Sequence, residues 1–283
     1  MSDAPAPAGP PVRRSRLMLA AVLGLVALAG LWWALRRPSV ARTWAVDQSV
    51  LPSVTFAGDT VTIAGVRNFR WTSATAFTPA WETRSYDLSQ VTSAWYVLVP
   101  FSDRWRGPAH AFVSFGFADG RYLAVSVEAR RELGETYGVV AGMLRHFELI
   151  YVLGDERDLI GRRAVYDDDA VFLYPIKGDP AGFRAVLTAM LERANQLRTR
   201  PEWYNTLTNN CTLNLVRHVN ALVPGKVPMS WRIAFPGYSD EVVHRVGLID
   251  STGSMAEQRA RFQVNDRARA ALDSAEFSAR IRE

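Results

Sequence analysis

The chain has 283 residues, of which 48% are hydrophobic and 22% are charged, a composition typical of a globular protein rather than a disordered one. It has one cysteine, so the sequence excludes an internal disulfide and a Cys-x-x-Cys metal site. The net charge of +5 suits an anionic surface such as lipid headgroups. Because the basic residues are spread along the chain, we expect no nucleic-acid binding.

The first element in chain order is an uninterrupted apolar stretch. Nineteen uncharged residues run from Leu17 to Leu35, and at about 1.5 Å rise per residue they span most of a hydrocarbon core of about 30 Å. A cleaved signal peptide is the alternative, but its apolar core is usually about 7–15 residues long. We therefore predict a transmembrane anchor at 17–35 after a disordered basic tail at 1–16. Arginines on both sides of the anchor leave its orientation open.

The sequence after the anchor predicts a linker at 36–60 and one α+β domain at 61–283. Strand-like runs of β-branched and aromatic residues begin at Val61 and continue in FELIYVL and AVFLYPI. Residues 181–199 place apolar side chains at helical spacing, and a second helix follows Asn210. We expect an antiparallel sheet with helices packed on one face.

The most informative segment is HAFVSFGFADGRYLAVSVE, at 110–128. A three-residue hairpin loop that ends at Gly120 sets His110 opposite Glu128 on the neighbouring strand. Opposed side chains have Cβ atoms about 4.5–5.5 Å apart, so the imidazole can reach the carboxylate. A two-residue loop would turn Glu128 to the other face, so this pairing depends on the turn.

The second informative segment surrounds the cysteine. Asn210 is a favourable helix N-cap, and the apolar residues that follow have helical spacing, so Cys211 lies in the first turn of a helix. Unpaired N–H groups at that position stabilise a thiolate, which predicts a lowered thiol pKa, and they can hold an oxyanion. Cys211 as nucleophile, His110 as base and Glu128 as orienter form a set for covalent catalysis. A buried, inert cysteine is the alternative.

Other polar residues predict structure rather than chemistry. The remaining three histidines have no suitably spaced partners, and the charges in WETRSYDL and GDERDLI predict ion pairs that hold loops. Arg130 and Arg131, close behind Glu128, are candidates to keep that carboxylate ionised or to bind a phosphate. The sequence contains no nucleotide-binding loop, metal cluster or cofactor motif, so we expect no cofactor and no metal.

Several blocks of the sequence resemble the Lnb N-terminal periplasmic domain family. They cover about residues 60–283 and occur in the family's order: NFRW, WETRSYDL, AHAFVSFGFADGRYLAVSVEARRE, ELIYVLGDERDLI, PEWYNTLTNNCTLNL and FSARIRE. The wider resemblance is to circularly permuted papain-like proteins of the NlpC/P60 type, in which a histidine and a polar residue precede the cysteine. The resemblance therefore implies a permuted papain-like fold behind one N-terminal transmembrane helix.

The same resemblance implies roles for individual residues. Cys211 in NNC corresponds to the nucleophile, His110 in AHAF to the base and Glu128 in SVEARRE to the orienter. Tyr204 resembles a tyrosine that assists the oxyanion in some relatives, and Asn210 is the second oxyanion candidate.

The family's namesake is a bacterial lipoprotein N-acyltransferase. The resemblance implies a soluble domain in the periplasm, held by a single-pass anchor in the inner (cytoplasmic) membrane. We expect a cysteine acyltransferase that acts on lipid or lipoprotein acyl esters through a thioester, because the anchor raises the effective concentration of such substrates. Two alternatives stay open: a papain-like envelope hydrolase (peptidase, amidase or lipid hydrolase) and a non-catalytic envelope binding protein.

Overall fold

A computed structural model describes residues 12–102 and 104–283. The chain divides into two compact units, the first ending at Pro38 and the second spanning Ser39–Glu283. In the first unit, helix α1 covers Val12–Leu35. Its segment Ser15–Leu35 is long and apolar enough to cross a membrane, in agreement with the predicted N-terminal helix. Most of the predicted basic tail, residues 1–11, lies outside the described residues.

The second unit is built on an eight-stranded sheet with the order β1-β2-β9-β8-β7-β6-β10, in which β5 also pairs with β2. Adjacent strands are antiparallel except β2 and β9, which meet in parallel at Arg67 and Gly154. The strands are β1 Ser53–Ala57, β2 Thr60–Arg67, β5 Trp81–Asp87, β6 Val91–Pro100, β7 Ala109–Phe117, β8 Tyr122–Arg130, β9 Glu148–Gly154 and β10 Phe172–Pro175, and a separate pair consists of β3 Arg70–Trp71 and β4 Phe77–Thr78.

Helices follow the strands in the second half of the chain. The longest is α3, and its N-cap Asp179 accepts a hydrogen bond from the N–H of Gly182. The α-helices of this unit are α2 Val139–Met143, α3 Pro180–Thr199, α4 Cys211–Leu222, α5 Trp231–Ala234, α6 Ser239–Arg245, α7 Met255–Phe262, α8 Asn265–Ala271 and α9 Phe277–Arg280. A π-helix covers Arg157–Tyr166, and short 3-10 turns cover Val46–Gln48, Leu88–Gln90 and Pro236–Tyr238.

The sheet is covered on both faces. Val113 and Phe115 of β7 belong to one apolar cluster with α3 residues such as Leu187, as expected for helices packed on one face. Phe112, which alternates with them, belongs to a second cluster with Ile160 of the π-helix and residues of α8 and α9. The α+β class is confirmed, and the π-helix and C-terminal helices add a second layer that the sequence analysis did not predict.

Strand β1 lies within the stretch predicted as a linker. The N–H of Val54 donates to Asn195 Oδ1 at 2.9 Å, and Asn195 Nδ2 donates back to the Val54 carbonyl at 2.6 Å. Val54 is also buried in the first apolar cluster. The chain therefore joins the domain well before Val61, because a side chain of α3 completes the hydrogen bonding of an edge strand.

Candidate functional site

The hairpin of β7 and β8 positions two of the predicted site residues. Its register pairs Phe112 with Ser126 and continues to Gly116 with Tyr122, as the three-residue loop predicts. Gly120 takes a φ of +81°, which suits glycine at the end of such a loop. This register brings His110 Nε2 to 3.9 Å from an oxygen of Glu128.

His110 contacts the carboxylate through a serine hydroxyl. Its Nε2 lies 2.7 Å from Ser126 Oγ, and Ser126 Oγ donates to Glu128 Oε1 at 2.8 Å. A hydroxyl has one proton, and an ionised carboxylate can only accept. Because that proton goes to Glu128, Ser126 accepts from Nε2–H of His110. We infer that the imidazole has its proton on Nε2 and an unprotonated Nδ1.

Glu128 is held ionised by its surroundings. Burial opposes ionisation, but the Arg67 guanidinium, and after it the imidazole of His110, lower the pKa of Glu128 to about 2. Gln48 Nε2 also donates to Glu128 Oε2 at 2.8 Å. Arg67 thus fills the role for which the sequence analysis named Arg130 and Arg131.

The two predicted arginines are engaged elsewhere. Arg130 Nε donates to the Gln48 carbonyl at 3.0 Å, and Arg131 Nη2 donates to Asp47 Oδ2 at 2.7 Å. These bonds fasten the segment that carries Gln48 to the end of β8. The two arginines after Glu128 therefore support the site indirectly. They hold the segment that carries Gln48, and Gln48 is the side chain that donates to Glu128.

Burial keeps the imidazole neutral. Burial lowers the pKa of His110 to about 4, and the positive charges of Arg163 and Arg67 act in the same direction. The negative charge of Glu128 raises this pKa but does not outweigh burial. At neutral pH the ring is therefore uncharged and can accept a proton.

Cys211 is the first residue of α4 and is 3% exposed. Burial raises the pKa of its thiol to about 11, although the backbone N–H groups of Ala111, Thr212 and Cys211 itself act in the opposite direction. The predicted lowering of the pKa is therefore wrong, because the loss of hydration of a thiolate outweighs stabilisation at the helix start. The resting thiol is protonated.

The cysteine and the histidine share one cavity of about 310 Å³. The N–H of Ala111, the residue after His110, acts on the sulfur of Cys211, so the strand that carries His110 also contacts Cys211. Within residues 12–102 and 104–283, no hydrogen bond joins the sulfur to the imidazole. Glu128 and Tyr204 line the same cavity.

The side chain of Asn210, the second oxyanion candidate, caps helix α4. Its Oδ1 accepts from the N–H of Leu213 at 2.9 Å, and its Nδ2 donates to the carbonyls of Thr206 and Ala234 at 2.7 and 3.1 Å. Both amide protons are therefore used to anchor the turn before Cys211. An oxyanion role for this side chain would require one of these bonds to break, and that role stays a prediction.

Tyr204, the other oxyanion candidate, lines the cavity that contains Cys211. Burial raises the pKa of Tyr204 well above its usual value, and Cys211 is the next contributor. Its ring meets Tyr137 edge-on, with centroids 6.1 Å apart. The phenol is therefore a neutral hydrogen-bond donor at neutral pH.

Three site residues were missed by the sequence analysis: Gln48, Arg67 and Ser126. Strand alternation places Ser126 on the face of His110, which was the available signal, but no role followed from it. Arg67 is 4% exposed and donates through Nε and Nη2 to the two oxygens of Asp158 at 2.9 and 3.1 Å. Arg67 and Gln48 come from segments far away in the chain, where pattern and spacing contain no signal.

In the described part of the chain, no group of three or more His, Cys, Asp or Glu side chains is arranged to hold a metal ion. The cavity instead combines a thiol, a neutral imidazole with a defined tautomer, an ionised carboxylate and a phenol. These are the groups of a candidate cysteine-dependent active site on an α+β domain.

Comparison with known proteins identifies the family. Residues 77–237, more than half of the chain, match the Lnb N-terminal periplasmic domain, and the chain belongs to that family. Searches of curated proteins and of solved structures found no match. The family and the apolar helix fit a single-pass membrane protein with a periplasmic domain. The wider papain-like resemblance stays a prediction.

Proposed function

We propose that this protein is a membrane-anchored cysteine acyltransferase that acts on lipid or lipoprotein acyl esters at the periplasmic face of the inner membrane. Residues 17–35 are its anchor. The observation that carries the proposal is the cavity shared by Cys211 and His110, in which Ser126 and Glu128 leave Nδ1 of the imidazole unprotonated.

In the first step, an acyl ester enters the cavity and its carbonyl carbon approaches the sulfur. The thiol proton of Cys211 passes to Nδ1 of His110 as the sulfur attacks, and Glu128 stabilises the resulting imidazolium through Ser126. The proton then passes from His110 to the leaving alcohol oxygen. The C–O bond breaks, the C–S bond remains, and the products are a thioester and a free alcohol.

In the second step, an amine attacks the thioester. His110 takes the proton of the amine and returns it to the sulfur, so that an amide forms and the thiol is restored. The N–H groups at the start of α4 and the phenol of Tyr204 are the donors available to the oxyanion in both steps. The raised pKa of Cys211 suits this order of events, since proton transfer and attack are coupled and no free thiolate is exposed to solvent.

The direct test is capture of the acyl-enzyme. The full chain in uncharged detergent is mixed with a short-chain diacylglyceryl ester, quenched in acid and weighed as an intact protein. We expect a mass increase of one acyl group that hydroxylamine removes, and its absence in Cys211→Ala and His110→Ala. His146→Ala is the matched control, because His146 is half-exposed and pairs with Glu135 at 2.8 Å. An adduct that persists in Cys211→Ala would refute the proposal.

The acceptor is decided by adding a peptide with a free N-terminal amine. Amide product indicates the transferase, whereas release of fatty acid with no amide indicates the hydrolase.

The burial of Cys211 favours a second candidate, a non-catalytic envelope binding protein. For that candidate, no acyl ester yields an adduct, and alkylation of Cys211 is the same in His110→Ala as in the unaltered chain.

A further inference from the structure

One end of the sheet holds the candidate site. Strand β6 ends at Pro100, which pairs with Ala109 at the start of β7. Strand β8 ends at Arg130, which pairs with Glu148 at the start of β9. The β6–β7 and β8–β9 connections therefore leave the sheet at the same end, next to His110, the second residue of β7.

Large apolar side chains are exposed on the segments around this end. We call the following side chains, which are between 40% and 67% exposed, the apolar rim: Phe101, Trp105, Leu133, Val140, Leu207 and Trp231. Phe101 and Trp105 belong to the β6–β7 connection, and Leu133 and Val140 belong to the β8–β9 connection. Contiguous exposed apolar surface marks contact with a protein, a ligand or a membrane.

Contacts join helix α2 to its neighbours in the rim. Thr206 Oγ1 donates to the Val139 carbonyl at 2.9 Å, so Leu207, the next residue, lies beside α2. The ring of Tyr137, just before α2, meets the ring of Phe101 with centroids 6.4 Å apart. The apolar rim is therefore continuous from Phe101 through α2 to Leu207.

The two tryptophans of the rim share one aromatic neighbour. The ring centroid of Phe235 is 6.4 Å from that of Trp105 and 6.5 Å from that of Trp231. Phe235 directly follows α5, whose last carbonyl, that of Ala234, accepts from Asn210 Nδ2 at 3.1 Å. The same amide also holds the turn before α4. The rim therefore lies around the start of α4, where the cysteine is.

The opposite end of the sheet presents charged turns. In the β7–β8 loop, Asp119 pairs with Arg121 at 2.7 Å, and in the β1–β2 turn, Asp59 pairs with Arg184. These two turns adjoin, because the 3-10 turn Leu88–Gln90 is hydrogen-bonded to both. The two ends of the sheet therefore differ in character, and the rim belongs to the end that holds the candidate site.

The chain enters the second unit at the end that carries the rim. The N–H of Ser39 donates to Glu148 Oε1 at 2.6 Å, at the start of β9. The N–H of Leu133, a rim residue, donates to the Thr43 carbonyl at 2.8 Å. Only three residues separate Ser39 from Leu35, where α1 ends. A connection that short keeps Ser39 near the surface of the bilayer that the proposed anchor spans.

The residue types of the rim suit the boundary between water and lipid. Tryptophan is enriched at that boundary, and the rim contributes Trp105 and Trp231. The chain has no charged residue from Thr136 to Leu144, and α2 lies within that segment with Val140 exposed. The apolar faces of interfacial helices enter the boundary of headgroups and acyl chains by about 5–10 Å.

We propose that the apolar rim docks on a lipid bilayer, with Val140 of α2 among the acyl chains and Trp105 and Trp231 at the headgroups. The partner is the bilayer that the proposed anchor spans, because the chain that enters beside the rim comes directly from that anchor. This inference concerns binding and goes beyond the proposed chemistry. One consequence rests on the proposed function: because Phe101 of the rim also lines the cavity, an acyl ester in the bilayer reaches Cys211 from the docked end.

The test measures how deeply α2 enters a bilayer. The full chain with Cys211→Ala and Val140→Cys is labelled with a small uncharged fluorophore and placed in vesicles of phosphatidylethanolamine and phosphatidylglycerol. Lipids with a nitroxide on the headgroup or on the acyl chain quench the label according to its depth. We expect the label to lie about 5–10 Å into the boundary of headgroups and acyl chains.

Phe56→Cys, in the same Cys211→Ala chain, is the matched control. Phe56 is also an exposed apolar side chain, at 38%, but it lies next to the β1–β2 turn at the opposite end of the sheet. We expect its label to stay accessible to a water-soluble quencher and to escape quenching by the acyl-chain nitroxide.

Substitution elsewhere in the rim separates docking of the domain from insertion of the label alone. Trp231→Ser, in the chain labelled through Val140→Cys, should lower the ratio of docked to undocked α2 about tenfold, because a large apolar side chain no longer enters the lipid. Leu207→Gln repeats the test at a second position, in case Trp231→Ser impairs folding. Phe56→Ser should leave the ratio unchanged.

Two results would overturn the inference. Equal quenching by the acyl-chain nitroxide in Val140→Cys and Phe56→Cys would show that α2 has no special contact with lipid. Protection of the α2 label from a water-soluble quencher without nitroxide quenching would indicate a protein partner, such as a second copy of this chain. Because the labelled chains lack the Cys211 thiol, a failure of thioester formation would remove the proposed function and leave this result unaffected.

Discussion

The imidazole Nε2 of His110 lies 2.7 Å from the hydroxyl oxygen of Ser126. This hydroxyl stands between the base and Glu128, whose nearest carboxylate oxygen is 3.9 Å from the same nitrogen. This relay determines which ring nitrogen has the proton, and in the proposed mechanism it leaves Nδ1 to accept the proton of the thiol. In that mechanism Ser126 performs the orienting role that the carboxylate would have in direct contact.

Ser126→Ala removes the relay and leaves the carboxylate without its hydroxyl donor. We expect the acylation rate of Cys211 to fall about 10- to 100-fold, part of what positioned general bases contribute, and the imidazole to populate both tautomers. Single-turnover acylation and ¹⁵N chemical shifts of His110 measure these effects. Ser114→Ala is the matched control, because Ser114 lies buried on the same face of the sheet and its hydroxyl has no hydrogen-bond partner among the described residues. Equal rates in the two variants would exclude the relay.

Arg67→Met leaves Asp158 buried without its counter-charge. Removing one partner of a buried ion pair costs about 3–5 kcal/mol of unfolding free energy, and the loss of the cation also raises the pKa of Glu128. Arg121→Met is the control, since Arg121 is half-exposed and pairs with Asp119 at 2.7 Å, and such surface pairs contribute about 0–1 kcal/mol. Denaturant unfolding of both variants tests the difference. Equal losses of unfolding free energy in the two variants would show that the buried pair of Arg67 and Asp158 contributes no more than a surface pair.

Acid should unfold the domain through His110. Its pKa is lowered from 6.5 to about 4, so the unfolded state binds the proton first, and stability falls as pH decreases from 6.5 towards 4. The slope is about 1.4 kcal/mol per pH unit for one such group. We expect His110→Gln to flatten the pH dependence of unfolding free energy over this window. An unchanged slope in His110→Gln would contradict the assignment.

His218 must be accounted for in that experiment. Burial, followed by the charges of Arg193 and Arg217, also lowers its pKa to about 4. It therefore contributes a similar acid-dependent loss, and the slope that remains in His110→Gln is the part that His218→Gln should remove.

Asn210→Ala distinguishes a cap from an oxyanion donor. Loss of an N-cap side chain costs about 1 kcal/mol of stability, whereas loss of an oxyanion donor slows catalysis about 100- to 1,000-fold. We expect a lower melting temperature with an acylation rate within about tenfold of the unaltered chain. Asn210→Asp keeps the Oδ1 cap and should recover part of the stability. A rate loss in the oxyanion range would restore Asn210 as a donor.

Local sequence patterns predicted the elements of this site well. The hairpin register follows from a three-residue loop, and the position of Cys211 follows from the N-cap residue Asn210 and the apolar spacing of α4. Both depend on hydrogen bonds between residues close in sequence, so neighbouring residue types determine them. The same information placed Ser126 on the face of His110 and would have supported a relay.

The properties of the site depended on distant residues. Gln48 reaches Glu128 across 80 positions of sequence, and the charge of Arg67, which lies on a different strand, lowers the pKa of the same carboxylate. No pattern in HAFVSFGFADGRYLAVSVE or PEWYNTLTNNC contains those contacts, because they exist only after β2, β8 and the 3-10 turn at Val46–Gln48 have packed together.

The sequence by itself determined an apolar N-terminal helix, an α+β domain, a β-hairpin with His110 near Glu128, and a thiol at a helix start. Short-range hydrogen bonds and the periodicity of apolar side chains suffice for these features. Only the tertiary structure decided that the thiol is protonated and that Arg67 holds Glu128 ionised. Burial and long-range charge govern those properties, and both arise only when distant segments exclude water together.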